Sequence, residues 1–274
     1  MIAYRDAVTH TGRPASDSEW SSPSDRREQV RRLVVSTGFA RTDDLARQLG
    51  VSVMTVHRDL DALAVDGWLT KIRGGATANP SALAEAGVRE RSAAMRSEKE
   101  AIARAAAAHL HSGQTVFLDD STTALALLPH LAAAAPLTVA TNFFPAVEEL
   151  SAVPGLEVVV LGGRYHRLQE ACFGLQTAEA IRQLHADVLF LSTTAVSGGR
   201  CYHRSEMTVM VKRALMECSA RRILLVDHAK FGRPAPHLLA PVGAFELVVT
   251  DAGIDAEELA ELRQREVAVE VAPL

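Results

Sequence analysis

Two folded units in series are predicted by this sequence of 274 residues. The first is a small helical module closed by a β-hairpin; the second is an α/β domain on a mostly parallel sheet. Three observations predict them. Between Thr42 and Leu63, two short stretches of helical apolar spacing are separated by Gly50, and a strand-like alternation follows as far as Gly74-Gly75. From residue 114 onward, almost continuously apolar runs alternate with helical ones, the pattern of strands buried on both faces. Between these regions, residues 80–96 show mixed polarity with no sustained period, as a connection does.

Composition sets the limits. Apolar residues make up 48% of the chain, enough for a sizeable core, and the net charge of −4 argues against non-specific coating of nucleic acid. A local basic face is still compatible with that balance. There is no run of 18 apolar residues to span a membrane and no apolar core of a signal peptide at the start. Cys172, Cys201 and Cys218 are odd in number and widely spaced, which fits a reducing cytoplasm better than a disulfide framework. Residues 1–24, rich in Ser, Thr, Pro and Asp, are expected to be a mobile leader.

In residues 25–79, Asp25 is expected to cap a first helix whose stripe is Val30, Leu33 and Val34. Thr42 is expected to cap a second, with Asp43 and Asp44 in its first turn and Gly50 at its end. Ser52 caps a third, which buries Val53, Val56, Leu60 and Leu63. That leaves Met54, Thr55, His57, Arg58 and Asp61 facing outward. Trp68, Thr70 and Ile72 alternate with Leu69, Lys71 and Arg73 in a strand that ends at the paired glycines. Two helices about a tight turn followed by a hairpin are the layout of a winged helix-turn-helix, which places its second helix in the major groove of double-stranded DNA. Residues 25–75 hold nine Lys and Arg against seven Asp and Glu, a small excess of the right sign. Met54, Thr55, His57 and Arg58 are the candidate base-facing residues, Ser52 at the cap is a further DNA-binding candidate, and Lys71 and Arg73 are the candidate phosphate contacts.

Residues 97–274 are expected to form a Rossmann-like domain. Ser97 to Glu100 fits a capping box ahead of an Ala-rich helix ending at Gly113. Strands are predicted at 114–119, 137–141, 156–162, 187–193, 222–227 and 245–251. Helices are predicted near 122–134, 143–151, 175–184, 204–219 and 255–264, with Pro129 dividing or kinking the first. Ligands of such sheets collect at the carboxyl ends of the strands. Those ends read Asp119-Asp120-Ser121-Thr122-Thr123, Thr141-Asn142, Gly162-Gly163, Thr193-Thr194 and Asp227 to Lys230. Short hydroxyls, an amide, paired glycines and one lysine together describe a site for an anion. Cys201 and His203 have no second pair at ligand spacing, so no metal is expected, and no cofactor is implied.

The residues carry a family likeness. Val51-Ser52, Thr55-Val56, Arg58-Asp59-Leu60 and Gly74-Gly75-Ala76 resemble the signature of the DeoR/GlpR family of bacterial transcriptional regulators, with His57 where that signature has arginine. Arginine makes bidentate contacts that histidine cannot copy. The likeness continues through Leu118 to Thr123, Thr141-Asn142, Gly162-Gly163 and Asp227 to Gly232, and spans residues 25 to 265. It implies a sensor domain similar to sugar-phosphate isomerases and deaminases. It also implies a small phosphorylated sugar as effector and a glutamate, here Glu206, at the pocket mouth. Asp120-Ser121 stands where the family has Ser-Gly.

The expectation is therefore a DNA-binding regulator of carbohydrate genes, acting as a repressor, homodimeric or homotetrameric, with no membrane attachment. Its effector residues would be Asp119, Asp120, Ser121, Thr122, Thr123, Thr141, Asn142, Gly162, Gly163, Glu206 and Lys230. The rival expectation is a sugar-phosphate isomerase or deaminase fused to a DNA-binding module, with Asp119, Asp120 and Lys230 in acid and base roles. A third is a scaffold with no ligand.

Overall fold

A computed structural model describes residues 22–37, 39–66, 68–78, 87–233 and 235–274. The expected leader lies outside these except at its end, where helix α1 (Pro23–Thr37) begins. Ser22, not Asp25, supplies the cap: its Oγ accepts from the Asp25 N–H at 3.1 Å. A short strand β1 (Phe39–Arg41) leads into α2 (Thr42–Leu49). Thr42 lies within that helix rather than capping it, because the chain turns helical one residue earlier than expected; Arg41 holds the cap position with no side-chain bond. Gly50 closes α2 in the left-handed region, φ 65°. Helix α3 (Val53–Val65) follows, with Ser52 as its cap.

The hairpin β2 (Leu69–Ile72) and β3 (Gly75–Ala78) pairs with β1 in the order β1-β3-β2. Gly75 permits this closure, since a Cβ there would lie 2.3 Å from the Ala40 carbonyl oxygen. Val30, Val34, Leu45, Leu49, Val56, Leu60, Leu63 and Leu69 form one core. Val53 is 41% exposed, contrary to expectation, because the first residue of α3 projects past the end of that core.

Part of the expected linker is the short helix α4 (Val88–Ala93), which packs on α1. Helix α5 (Arg96–Ala106) then starts one residue before Ser97, so the capping box does not form. Ser97 bonds Glu98 and Glu100 pairs with Arg96. The helix stops at Ala106, short of Gly113, and a 3-10 turn follows it.

The second core is a seven-stranded sheet. Its strands are β4 (Thr115–Leu118), β5 (Leu137–Thr141), β6 (Leu156–Val160), β9 (Ala186–Leu191), β12 (Ser219–Leu225), β14 (Leu247–Asp251) and β15 (Val269–Ala272). The order is β15-β14-β12-β9-β4-β5-β6, and every neighbouring pair is parallel. Six of these are the predicted runs. β15 went unpredicted because Val-Glu-Val-Ala alternates at an edge instead of reading as continuously apolar. Starting from β4, the chain fills one side of the sheet through β6 and then returns to fill the other from β9. The direction therefore reverses between β4 and β9, the kind of switch point where a crevice opens.

The helix expected at 122–134 is two, α6 (Thr122–Leu125) and α7 (Leu128–Ala133), with Pro129 in the first turn of the second, where its missing N–H does no harm. The remaining helices are α8 (Phe144–Leu150), α9 (Leu175–Arg182), α10 (Glu206–Glu217) and α11 (Ala256–Gln264). Two antiparallel additions were not foreseen. One is the hairpin β7 (Arg164–His166) and β8 (Ala171–Phe173). The other is a small sheet of β10 (Ala195–Ser197), β11 (Arg200–His203) and β13 (His237–Pro241), which overlies the end of β9.

Candidate functional site

Helix α3 is fixed before it is displayed. Asp59 is buried and takes a bidentate contact from Arg26 of α1, at 2.6 and 3.1 Å. The opposite face stands free: Met54 is 64% exposed, Arg58 is exposed, and Thr55 and His57 are half-buried. Ser52 Oγ accepts from the Thr55 N–H at 3.1 Å and lies 2.8 Å from its hydroxyl, so capping and outward display fall on the same pair. Lys71 of β2 is paired with Asp61 of α3 at 2.6 Å, while Arg73 is exposed at the hairpin turn.

At the switch point lies a cavity of about 140 Å³. Its polar wall is made by Asp120, Ser121, Thr122 and Thr123 after β4, Ser192, Thr193 and Thr194 after β9, and Lys230 and Arg233 after β12. Arg91 of α4, Lys99 of α5, His203 of β11 and Lys212 of α10 complete it. Asp119 is the keystone behind the wall. One carboxyl oxygen takes the Ser121 N–H and hydroxyl; the other takes the Ser192 N–H at 2.8 Å and the Lys212 ammonium. Lys212 also lies 3.1 Å from Asp120.

Burial and charge compete throughout this wall. Burial alone would raise the Asp120 carboxyl, but Lys212, with His203 and Arg91, outweighs it and holds Asp120 below the usual carboxylate range. Burial would likewise strip the proton from Lys212, yet Asp119 and Asp120 together raise it above an ordinary lysine. Asp227 is kept ionised against its burial by Lys230 and Lys99. Lys230 bonds Asp227 at 3.2 Å, Ser192 Oγ at 2.9 Å and Thr123 Oγ1 at 3.2 Å.

Lys99 differs from these. It donates to the Arg91 and Ala94 carbonyls and to Thr122 Oγ1, all neutral acceptors, and burial brings it down to about 7. Burial also pushes His203 down to about 3, helped by Lys212 against the pull of Asp120. His203 Nδ1 accepts the Ser205 N–H at 3.1 Å, which assigns the ring proton to Nε2.

Two family models account for most of the chain. The DeoR-like helix-turn-helix domain matches residues 26–82 and the DeoR C-terminal sensor domain matches residues 94–252. The chain belongs to the DeoR family. It is a DNA-binding transcriptional regulator, as that family's members are. Three relatives are similar over nearly their full length. The uncharacterized HTH-type transcriptional regulator YgbI of Escherichia coli is 30% identical, over 91% of this chain and 98% of its own. The transcriptional repressor AccR of Agrobacterium fabrum is 31% identical, over 85% and 92%. The glycerol-3-phosphate regulon repressor of E. coli is 31% identical, over 83% and 90%. Among solved structures, ribose 5-phosphate isomerase A of Neisseria gonorrhoeae aligns at a TM-score of 0.36 and 11% identity, over 48% of this chain and 52% of that one, too remote to bear on function.

Within this DeoR-family chain the expected effector residues divide in two. Asp120, Ser121, Thr122, Thr123 and Lys230 line the cavity, and Asp119 stands behind them. Ser121 sits at φ −92°, an ordinary extended conformation, so glycine's freedom is not needed there. Its hydroxyl caps α6 through the Ala124 N–H.

The other group lies away from the cavity, because β5 and β6 are on the far side of the switch point. Thr141 Oγ1 accepts the Phe143 N–H, and Asn142 Nδ2 donates to the Cys172 carbonyl, clamping the β7–β8 hairpin. Gly163 is a packing glycine: a Cβ there would lie 2.0 Å from Thr177 Oγ1. Gly162 is exposed on the same turn. Glu206 is exposed on the first turn of α10 and does not line the cavity.

Arg91, Lys99, His203 and Arg233 escaped the sequence reading. Two of them precede the sheet altogether, and His203 lies on an antiparallel strand that carries no parallel-sheet signal. Among the described residues no group of His, Cys, Asp and Glu is placed to hold a metal ion, and no helix is long and apolar enough to cross a membrane.

Proposed function

We propose that this regulator represses genes of carbohydrate metabolism and is released or retained on its operator by a small phosphorylated sugar or related anionic metabolite bound in the switch-point cavity. One observation carries the effector reading. Four cations, Arg91, Lys212, Lys230 and Arg233, meet there with three carboxylates, Asp119, Asp120 and Asp227, and Lys99 adds a fifth when protonated, so the site is short of negative charge. A phosphate supplies it. Asp120 and neutral His203 at the same wall suit the hydroxyls of a polyol. The names of the relatives, a glycerol-3-phosphate regulon repressor among them, favour the same class.

On this reading residues 25–79 are the DNA-binding unit and 97–274 the sensor. Met54, Thr55, His57 and Arg58 face base edges, with Ser52, Lys71 and Arg73 toward phosphates. Asp120 to Thr123 and Lys230 hold the effector. The protein acts in the cytoplasm as a homodimer or homotetramer, since two-fold proteins suit paired half-sites. The effector works only through its differential affinity for the two states, with a coupling of about 1–3 kcal/mol.

The test is selection of operator DNA by the purified full chain, followed by gel shifts against a panel of sugar phosphates. Wild-type protein should respond to at least one of them. Lys230→Met should keep operator binding and lose the response. A Lys230→Met protein that responds normally would remove the cavity from this role.

A further inference from the structure

One cation of the cavity has a guanidinium nitrogen sealed from water without a hydrogen-bond partner among the described residues, and it lies outside the α/β sheet. Arg91 lies on α4, the short helix that packs against α1 of the DNA-binding unit on one side and α6 on the other. Its backbone is tied to the sensor: the Arg91 carbonyl accepts from Lys99 Nζ and from Thr122 Oγ1. Its side chain feels the charges of Asp120, Asp119 and Glu170. Arg91 lines the cavity, its Nη2 is sealed from solvent, and that nitrogen has no hydrogen-bond partner among the described residues. The neighbouring cations differ: Lys212 is neutralised by Asp119 and Asp120, and Lys230 by Asp227.

A guanidinium donor withdrawn from water and left unpaired bears its full desolvation cost, and native proteins seldom leave such a donor without an acceptor. Its planar fork matches the oxygens of a phosphate. Burial also depresses the Arg91 guanidinium against the pull of Asp120, Asp119 and Glu170, so an arriving anion relieves an existing strain.

We propose that Arg91 is a direct ligand of the effector's phosphoryl group, so that occupancy of the cavity is read on the helix that abuts the DNA-binding unit. The inference rests on the anion reading of the cavity and adds to it the residue that carries the signal out. Helix α4 is held to the sensor by the Arg91 carbonyl and by Val88, which is buried in the sensor's core. With phosphate bound, the Arg91 side chain is held as well, and the position of α4 against α1 becomes dependent on the ligand.

The probe is inorganic phosphate, titrated calorimetrically at constant ionic strength into full-length wild type, Arg91→Gln, Arg91→Lys and Lys230→Met. Amide exchange of residues 23–37 and 88–106 is followed with and without phosphate. Wild type should bind, and exchange should slow in both segments. Arg91→Gln should bind about 10-fold or more weakly, the equivalent of one good charged contact, and should lose the protection at 23–37. Its thermal midpoint without phosphate should not fall, which separates a ligand from a structural strut. Arg91→Lys keeps the charge without the fork and should bind with intermediate affinity; it decides the matter should the glutamine variant fail to fold. Equal phosphate affinity in wild type and the Arg91 variants, with Lys230→Met weakened, would overturn this inference and leave the cavity's function standing. No phosphate binding by wild type would overturn both.

Discussion

On α3 and the wing, charged side chains stand in water. Arg58 and Arg73 are exposed, and Lys71 pairs with Asp61 on an open surface. In the cavity the same chemistry is sealed: Lys212 is 1% exposed and Asp119 not at all, and the Lys212 ammonium is held in its charged form by Asp119 and Asp120. The first arrangement presents charge to a large polyanion that brings its own counter-charges. The second holds charge ready for a small ligand by excluding water. A mutation on the surface should therefore alter binding and leave stability almost untouched, while one that breaks the buried Lys212–Asp119–Asp120 cluster should alter stability first.

The largest effect expected from that contrast is at Lys212. Replacing it by methionine fills similar space but leaves two carboxylates buried without their cation. Removing one partner of a buried pair costs about 3–5 kcal/mol, and denaturant unfolding of Lys212→Met should show a loss of that order. A loss below about 1 kcal/mol, the range of exposed pairs, would mean the cavity is wetter than its geometry indicates and would erase the distinction. Arg26→Leu is the intermediate case. It strands the buried Asp59 inside α3, at a cost of about 1–3 kcal/mol. Because the Arg26–Asp59 pair joins α1 to α3 within the DNA-binding unit, the loss should appear as earlier melting of that unit, with the sensor's transition in place. A uniform shift of both transitions would show that the two units unfold as one.

The same contrast explains what the sequence discloses. Helices α2 and α3 are legible because their apolar period, the Gly50 stop and the Ser52 cap are local, and the outward face follows by subtraction. Six of the seven parallel strands are legible as buried apolar runs, and so is the loop after β4. The cavity's other half is not. Lys212 lies 93 residues from Asp119, and Lys99 lies 23 from Thr122. Nothing in the local pattern distinguishes these lysines from solvated ones. The misplaced residues share a cause too: Thr141, Asn142, Gly162 and Gly163 end strands correctly but on the wrong side of the switch point. Strand order, which no single-strand pattern encodes, decides which ends converge.

Lys99 offers a test by pH. Its ammonium titrates near 7 in the folded chain against 10.5 for an unperturbed lysine. Between those values the unfolded chain binds more protons than the folded one, so raising the pH favours folding. The contribution is up to about 1.4 kcal/mol per pH unit across that window. The difference in unfolding free energy between wild type and Lys99→Met should therefore move in favour of wild type from pH 7 to pH 9. The sign for an anionic ligand is opposite. Phosphate favours the protonated ammonium, so its affinity should fall above pH 7, and less steeply in the methionine variant. A flat difference in both measurements would place Lys99 in contact with solvent.

The smallest effect on stability belongs to Lys71. Its partner Asp61 is 63% exposed and the pair lies on the surface, so breaking it should change stability by no more than about 0.5 kcal/mol. Its effect on DNA is a separate matter. A lysine that exchanges a weak surface carboxylate for a phosphate releases one counterion, so Lys71→Ala should lower the slope of log affinity against log salt by about one and weaken all sequences alike. Arg58→Ala, on the helix face, should instead relax preference at one base position, by about 1–3 kcal/mol. If Lys71→Ala leaves the salt slope unchanged while Arg58→Ala lowers it, the wing lies off the duplex and Arg58 touches backbone. The outward face of α3 would then owe its specificity to Met54, Thr55 and His57.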